Sequence, residues 1–288
     1  AKHGSYSNTS VFGSTETIEK LGVIVDIPDR DVQDKLAASG FNFTDAHAWK
    51  TIHDLSHELP RRETVNHVIG PMTPPVSPIT RLDKVIGVNE KMHPETIAHA
   101  YARLHKEGIY NVGNVAVVCG LNCTHSEYIE ATLDPEKARA FVRSVAILGE
   151  LSTFSTLVSF TTGSEFLGNF ILVPADFGFR SRNPTSVFVA NDEREIMAAN
   201  HAALCMTKDP AGRQLDEYLA MNAGLALYLA NGMMDDDLER FRAGRGPNSE
   251  KLAHCAGVCL KALRENRVAT FLESQVRLTR NVSGRFST

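Results

Sequence analysis

The sequence predicts an α/β fold, with a mostly parallel central sheet flanked by helices. Two runs, "KVIGV" (84–88) and "NVAVVCGL" (114–121), are continuously apolar and rich in valine, as strands buried on both faces are. Between them, "HPETIAHAYARLHKEG" (93–108) has helical periodicity, with Pro94 suited to the first turn and Gly108 to the end. Strand, helix and strand make a βαβ unit. The third observation is the chain beyond residue 192, where helical segments follow one another, so the C-terminal half reads as helix-rich.

Taken in order, "STETIEKLGV" (14–23) offers Ser14 as an N-cap. Thr17 stands three residues on, so a reciprocal capping box from Ser14 is missing. Glu16 and Glu19 place negative charge near the positive end of the helix, and Gly22 sits where it would stop. Residues 29–40 repeat the form, with an acidic start, apolar Val32 and Leu36, and a closing Gly40. "FNFT" (41–44) follows as a short strand, and 47–58 look helical. Residues 134–150 read as a helix from Pro135 onward. The stretch "VAILGELSTFSTLVSF" (145–160) carries Glu150 and five Ser/Thr residues, so it reads as a buried helix rather than a membrane span, while the secondary structure of 151–172 is ambiguous. "SVFVA" (186–190) is a strand candidate, and helices are expected at about 192–206, 211–231, 249–264 and 266–277. No linker stands out. The organisation expected is a single α/β domain over 1–288 with an irregular insertion at about 122–170.

Composition narrows the function classes. The 288 residues are 43% hydrophobic and 22% charged, which suits a globular chain with a sizeable core. Thirty Lys and Arg face 34 Asp and Glu, so no global basic field exists to collect nucleic acid. Five cysteines, an odd number in a long chain, fit reduced thiols of the cytoplasm better than a disulfide framework. Neither a membrane segment nor a basic-then-apolar leader is expected.

The opening stretch holds the densest chemistry. Lys2, His3 and Gly4 are followed by Ser7, Ser10 and Ser14 among other hydroxyl, amide and glycine residues, all ahead of a helix. Such a segment suits an anion cradle, and it equally suits a polar stretch that ends in a capping serine. Cys119, Cys123 and His125 invite a zinc reading, but the spacing is loose and no second ligand pair follows. Cys255 and Cys259, four apart on an apolar helix, suit core packing. His93, His99 and His105 are six apart and share no helical face, so solvated histidines are the expectation.

Several stretches together resemble the anthranilate phosphoribosyltransferase family, which has the nucleoside phosphorylase/phosphoribosyltransferase fold. They are "AKHGSYSNTSVFGSTETIEKLGV", "GFNFTDAHAWK", "ELPRRETVNHVIGPMTPP", the two valine-rich strands, "VPADFGF" and "MNAGLALYLANG". Their order and spacing carry the resemblance over about 1–121 and 171–276. It implies a transferase, a glycosyltransferase that moves a ribosyl phosphate group between phosphoribosyl pyrophosphate and a small nitrogenous acceptor. By position it implies phosphate binding by Lys2, His3, Gly4, Ser7, Ser10 and Ser14, and a carboxylate or phosphate clamp at Arg61 or Arg62. The same arginines could be a surface pair.

The chain also departs from the family pattern. The family's N-terminal helical domain and its glycine-rich loop precede Lys-His-Gly and are expected to be absent. Ser5-Tyr6 replaces Asn-Arg. Asn122 and Cys123 fall where the resemblance puts an Asp-Glu pair that binds Mg²⁺, with Glu127 or Glu130 as substitutes. Mg²⁺ is therefore the cofactor expected of a catalytic member. The expected partners are a phosphorylated sugar or other anionic small molecule, and another protein chain or a missing N-terminal segment of its own, making an oligomer. A non-catalytic scaffold or regulatory subunit of the same fold is the first alternative, and a nucleic-acid-binding relative the second.

Overall fold

The computed structural model describes residues 2–4, 13–25, 27, 29–45, 70–73, 77–183, 192–205 and 215–284. In chain order, its first elements are β1 (Lys2–Gly4), α1 (Ser14–Lys20), α2 (Asp29–Ser39), β2 (Phe43–Asp45), β3 (Leu82–Gly87) and α3 (Pro94–Lys106). Then come β4 (Val112–Leu121), α4 (His125–Ala131), α5 (Pro135–Val145), β5 (Ala146–Leu148), β6 (Ser155–Thr162) and β7 (Glu165–Leu172). The last are α6 (Glu193–Leu204), α7 (Leu215–Ala230), α8 (Leu238–Arg242), α9 (Ser249–Arg264) and α10 (Arg267–Gly284). The chain divides into two compact units, one from 1–75, 189–212 and 263–288, the other from 76–188 and 213–262.

In the first unit, β1 and β2 pair in parallel, with Lys2 opposite Phe43 and Gly4 opposite Asp45. Gly13, rather than Ser14, is the N-cap of α1. Its N–H donates to Glu16 Oε2 at 2.6 Å. Counting from Gly13 places the acid at the third helical position, which counting from Ser14 does not. Gly22 ends α1 at φ +90°, a conformation that favours glycine. The Ile24 N–H donates to the Thr279 hydroxyl of α10 at 3.1 Å, and Phe41 meets Phe271 edge to face.

In the second unit, the strands run in the order β3-β4-β6-β7, with β5 also on β4. β3 and β4 are parallel, as the βαβ unit requires, while β4–β5, β4–β6 and β6–β7 are antiparallel. The sheet is therefore mixed, and the α/β class stands. Residues 155–160 are not the helix expected but the body of β6, hydrogen-bonded along β4 from Ser155 opposite Leu121 to Phe160 opposite Ala116. Threonine, valine and phenylalanine are strand formers, and the open edge of β4 decides between strand and helix. All of β4 and nearly all of β6 is buried.

One face of this sheet is covered by α3 through Ile97, Ala98, Tyr101 and Ala102. The Thr161 hydroxyl donates to the Ala98 carbonyl at 3.1 Å. Val118, Phe160, Met221, Leu225, Tyr228, Leu252 and Cys255 belong to one core cluster, which draws on the sheet, α7 and α9. Gly224 lets α7 and α9 approach closely, since a Cβ there would stand 2.8 Å from Ala256 Cα. Cys255 is core, as its spacing suggests, with Sγ 3.4 Å from Met233 Sδ. The expectation of solvated histidines fails at His93, which is the N-cap of α3 and accepts from the Glu95 N–H. His99 lies against the Phe166 ring at 4.2 Å.

Candidate functional site

The expected site residues fall in both units. In the first, β1 places Lys2 and Gly4 beside the start of α1. The Lys2 N–H donates to the Asn42 carbonyl at 2.9 Å, and the Lys2 side chain is exposed. Gly4 is buried against Phe43 and Ser14. A Cβ at Gly4 would stand 2.5 Å from Ser14 Oγ and 2.9 Å from Phe43 Cε2. A Cβ there would force Ser14 or Phe43 to shift, so the Gly4 backbone lies close on the first turn of α1. This brings Gly4 and Ser14 together. Ser7, Ser10, Arg61 and Arg62 lie outside the described residues, as do the helix at 47–58 and the strand at 186–190.

In the second unit, the carboxyl ends of β3 and β4 are closed by the chain at 148–152. A Cβ on Gly87 would run into the Gly149 carbonyl and stand 2.7 Å from Gly149 Cα. One on Gly120 would stand 2.6 Å from the Glu150 carbonyl oxygen and 3.2 Å from Ser152 N. The closing segment is fixed by hydrogen bonds. Ser152 Oγ donates to the Leu121 carbonyl at 2.9 Å, and the Leu151 N–H donates to Asn222 Oδ1 at 3.0 Å. The Tyr218 hydroxyl donates to Glu150 Oε2 at 2.6 Å, and Asn222 Nδ2 donates to the Tyr218 carbonyl at 3.1 Å. Burial first, and then Glu150, raises the Tyr218 phenol well above its ordinary range, so it keeps its proton. A carboxylate thus stands at the carboxyl edge of a parallel strand pair, where open α/β sheets bind ligands.

Sequence reasoning missed Glu150, Tyr218 and Asn222 as a group. The available signals were a lone acid after glycine in an apolar run, and two polar residues four apart in the apolar "EYLAMNAG".

Asn122 and Cys123 follow β4 directly. Asn122 is exposed. Cys123 is 4% exposed, burial raises its thiol, and its carbonyl accepts from the Ser155 hydroxyl. Glu127 closes a capping box on α4, where Oε2 accepts from the Thr124 N–H at 2.7 Å and from the Thr124 hydroxyl at 2.9 Å. Those bonds lower its pKa. Glu130 is exposed on the same short helix. The Cys119 thiol is pushed up to about 11, mainly by burial. Among the described residues no three His, Cys, Asp or Glu side chains gather as a metal would need, so no zinc cluster forms at Cys119, Cys123 and His125.

Comparison with known proteins places this geometry. Residues 1–120 match the glycosyl transferase family, a/b domain. Anthranilate phosphoribosyltransferase of Haloarcula marismortui is 28% identical over 234 residues, covering 80% of this chain and 59% of the relative. That of Cellvibrio japonicus is 27% identical over 266 residues, 89% of this chain and 67% of the relative.

The chain is similar to the anthranilate phosphoribosyltransferases over most of its length.

The chain spans a little under 60% of the first of those relatives. Two solved structures share the fold. Saccharomyces cerevisiae anthranilate phosphoribosyltransferase in complex with PRPP and Mg has TM-score 0.63 at 17% identity, over 97% of this chain and 64% of that one. The Thermus thermophilus enzyme has TM-score 0.63 at 21% identity, over 97% and 68%.

The described residues of this chain do not suit the ion in the yeast complex. Mg²⁺ takes hard oxygen ligands in near-octahedral geometry. Here a neutral amide and a buried thiol stand after β4, Glu127 is engaged as a cap, and Glu150 is hydrogen-bonded to Tyr218.

Proposed function

We propose that this chain takes part in phosphoribosyl transfer, binding phosphoribosyl pyrophosphate and moving its ribosyl phosphate group to a small nitrogenous acceptor. One observation carries the reading. The Lys-His-Gly strand lies close on the start of α1 through Gly4, where a Cβ would force Ser14 or Phe43 to shift, within the 120 residues that match the glycosyl transferase family. Backbone N–H groups, the Lys2 ammonium and the Ser14 hydroxyl are suitable donors to a phosphorylated sugar. Ser7, Ser10, Arg61 and Arg62 extend the same donor set in our reading. Catalysis of this type rests on positioning and charge stabilisation rather than a covalent nucleophile. We place the reaction in the cytoplasm, on the strength of five free thiols. No helix among the described residues is long and apolar enough to cross a membrane. A partner chain or a further segment of this one completes the binding site and makes the working assembly an oligomer.

Isothermal titration of the complete assembly with phosphoribosyl pyrophosphate tests this. Binding is expected, and Lys2→Ala is expected to weaken it by about tenfold or more, the cost of one charge-assisted contact. Absence of binding with and without Mg²⁺ refutes the reading. The second reading is a scaffold or regulatory subunit, favoured by the amide and buried thiol that follow β4. It calls for co-purification with a defined partner in fixed ratio. Nucleic-acid binding is the least supported, because the formal charge is −4.

A further inference from the structure

The acids around the carboxyl ends of β3 and β4 can be followed one by one. Glu127 is fixed by two bonds from Thr124, and Glu130 is exposed on a helix with no buried residue. Glu90, exposed beyond β3, lies close enough to raise the Cys119 thiol, but it joins no cluster of three ligands among the described residues. Glu150 is the acid held over the strand ends, and Tyr218 already donates to it at 2.6 Å. Asn222, one turn along the same helix, holds the neighbouring Leu151 N–H and so fixes where Glu150 stands. A cation at this edge would find one carboxylate, whose Oε2 already accepts a proton donor, together with an exposed amide and a buried thiol. A thiol is a soft ligand that Mg²⁺ does not favour.

We infer that the carboxyl edge of β3 and β4 takes up no divalent cation, the Glu150 carboxylate being engaged by the Tyr218 hydroxyl instead. The sugar-phosphate arm of the test below rests on the phosphoribosyl-transfer reading. The inference gives Tyr218 a positioning role, since its hydroxyl acts on Glu150 and not on the ligand. The negative charge of a pyrophosphate group must then be met by N–H donors and side-chain cations of the protein.

Two measurements on the complete assembly separate the inference from the reading it rests on. In the first, phosphoribosyl pyrophosphate is titrated with excess Mg²⁺ and with excess EDTA. The affinities are expected to differ by less than about tenfold. Binding that disappears in EDTA overturns the inference and leaves the transferase reading standing. No binding in either buffer overturns the transferase reading. In the second, Mn²⁺ alone is titrated and the free ion followed by electron paramagnetic resonance, which decides the metal question whether or not the sugar phosphate binds. Wild-type protein is expected to leave Mn²⁺ free. Tyr218→Phe, which releases the carboxylate, is expected to take up Mn²⁺ weakly, and the Tyr218→Phe/Glu150→Gln double variant is expected to lose that uptake. Stoichiometric uptake by wild type that Glu150→Gln abolishes overturns the inference. Equal, negligible uptake by wild type and Tyr218→Phe overturns the role given to the hydroxyl.

Discussion

Replacing Gly87 with alanine drives a methyl group into backbone. The new Cβ would stand 2.7 Å from Gly149 Cα, with the Gly149 carbonyl closer still. Carbon atoms rest at about 3.5–4.0 Å, so the 148–152 segment must retreat by more than about 1 Å. No rotamer relieves the clash, because both partners are main chain. Overpacking of this kind costs about 1–3 kcal/mol. Weakening the Tyr218–Glu150 bond adds at most about 1.5 kcal/mol, since Glu150 is exposed. With a urea slope of about 2 kcal/mol per molar, a loss of about 2 kcal/mol lowers the unfolding midpoint by about 1 M. Gly257 is the control. It lies inside α9, and a Cβ there meets nothing within 4 Å. Gly257→Ala is therefore expected to raise the midpoint, by about 0.5–1 kcal/mol of helix propensity. Urea titration followed by circular dichroism reads both variants. A neutral or stabilising Gly87→Ala, or two shifts of the same sign, refutes the close approach that holds the segment over the strand ends.

Lys35 is 3% exposed, and its Nζ has no hydrogen-bond partner among the described residues. Burial lowers its pKa below the ordinary 10.5, so the unfolded chain holds the proton more tightly. Wild-type stability should therefore rise with pH from the lowered folded value up to 10.5, and this rise should be missing in Lys35→Met, which should also melt higher at neutral pH. Asp237 is 3% exposed and accepts from the Tyr228 hydroxyl at 2.6 Å, while Lys251 lies 2.9 Å from its other oxygen. Tyr228→Phe should cost about 1.5–3 kcal/mol in the same urea titration, and a cost below about 0.5 kcal/mol would mean that Lys251 and the Asn248 N–H satisfy the acid without it. The buried thiols of Cys119, Cys123 and Cys255 should resist Ellman's reagent in the folded protein, with Cys205 and Cys259 reacting first. Rapid modification of Cys123, read by peptide mass spectrometry, would contradict its burial.

The elements that could be read from the chain are those whose signals are local. Valine runs gave β3 and β4, and Pro94 with Gly108 gave the limits of α3. The breaks around Gly40 and Asn231-Gly232 gave the ends of α2 and α7. The Lys-His-Gly stretch stood out by its family resemblance as a loop ahead of α1, and only the structure shows residues 2–4 pairing as a strand with β2. The stretch 145–160 was misread because a short apolar run with β-branched residues suits a buried helix or a buried strand alike. The N-cap of α1 was placed one residue late, at Ser14 instead of Gly13, because a glycine N-cap carries no side-chain signal.

The sequence by itself determined the α/β class, the βαβ unit at 84–121, the helix-rich second half and the family resemblance. These follow from periodicity, caps and motif order, which act over a few residues or along one strand. Tertiary structure alone decided that 155–162 completes the sheet beside β4, and that Glu150 stands over the strand ends with Tyr218 and Asn222 behind it. Those pairings join residues tens of positions apart through hydrogen bonds and a glycine-to-glycine contact, none of which leaves a spacing in the sequence.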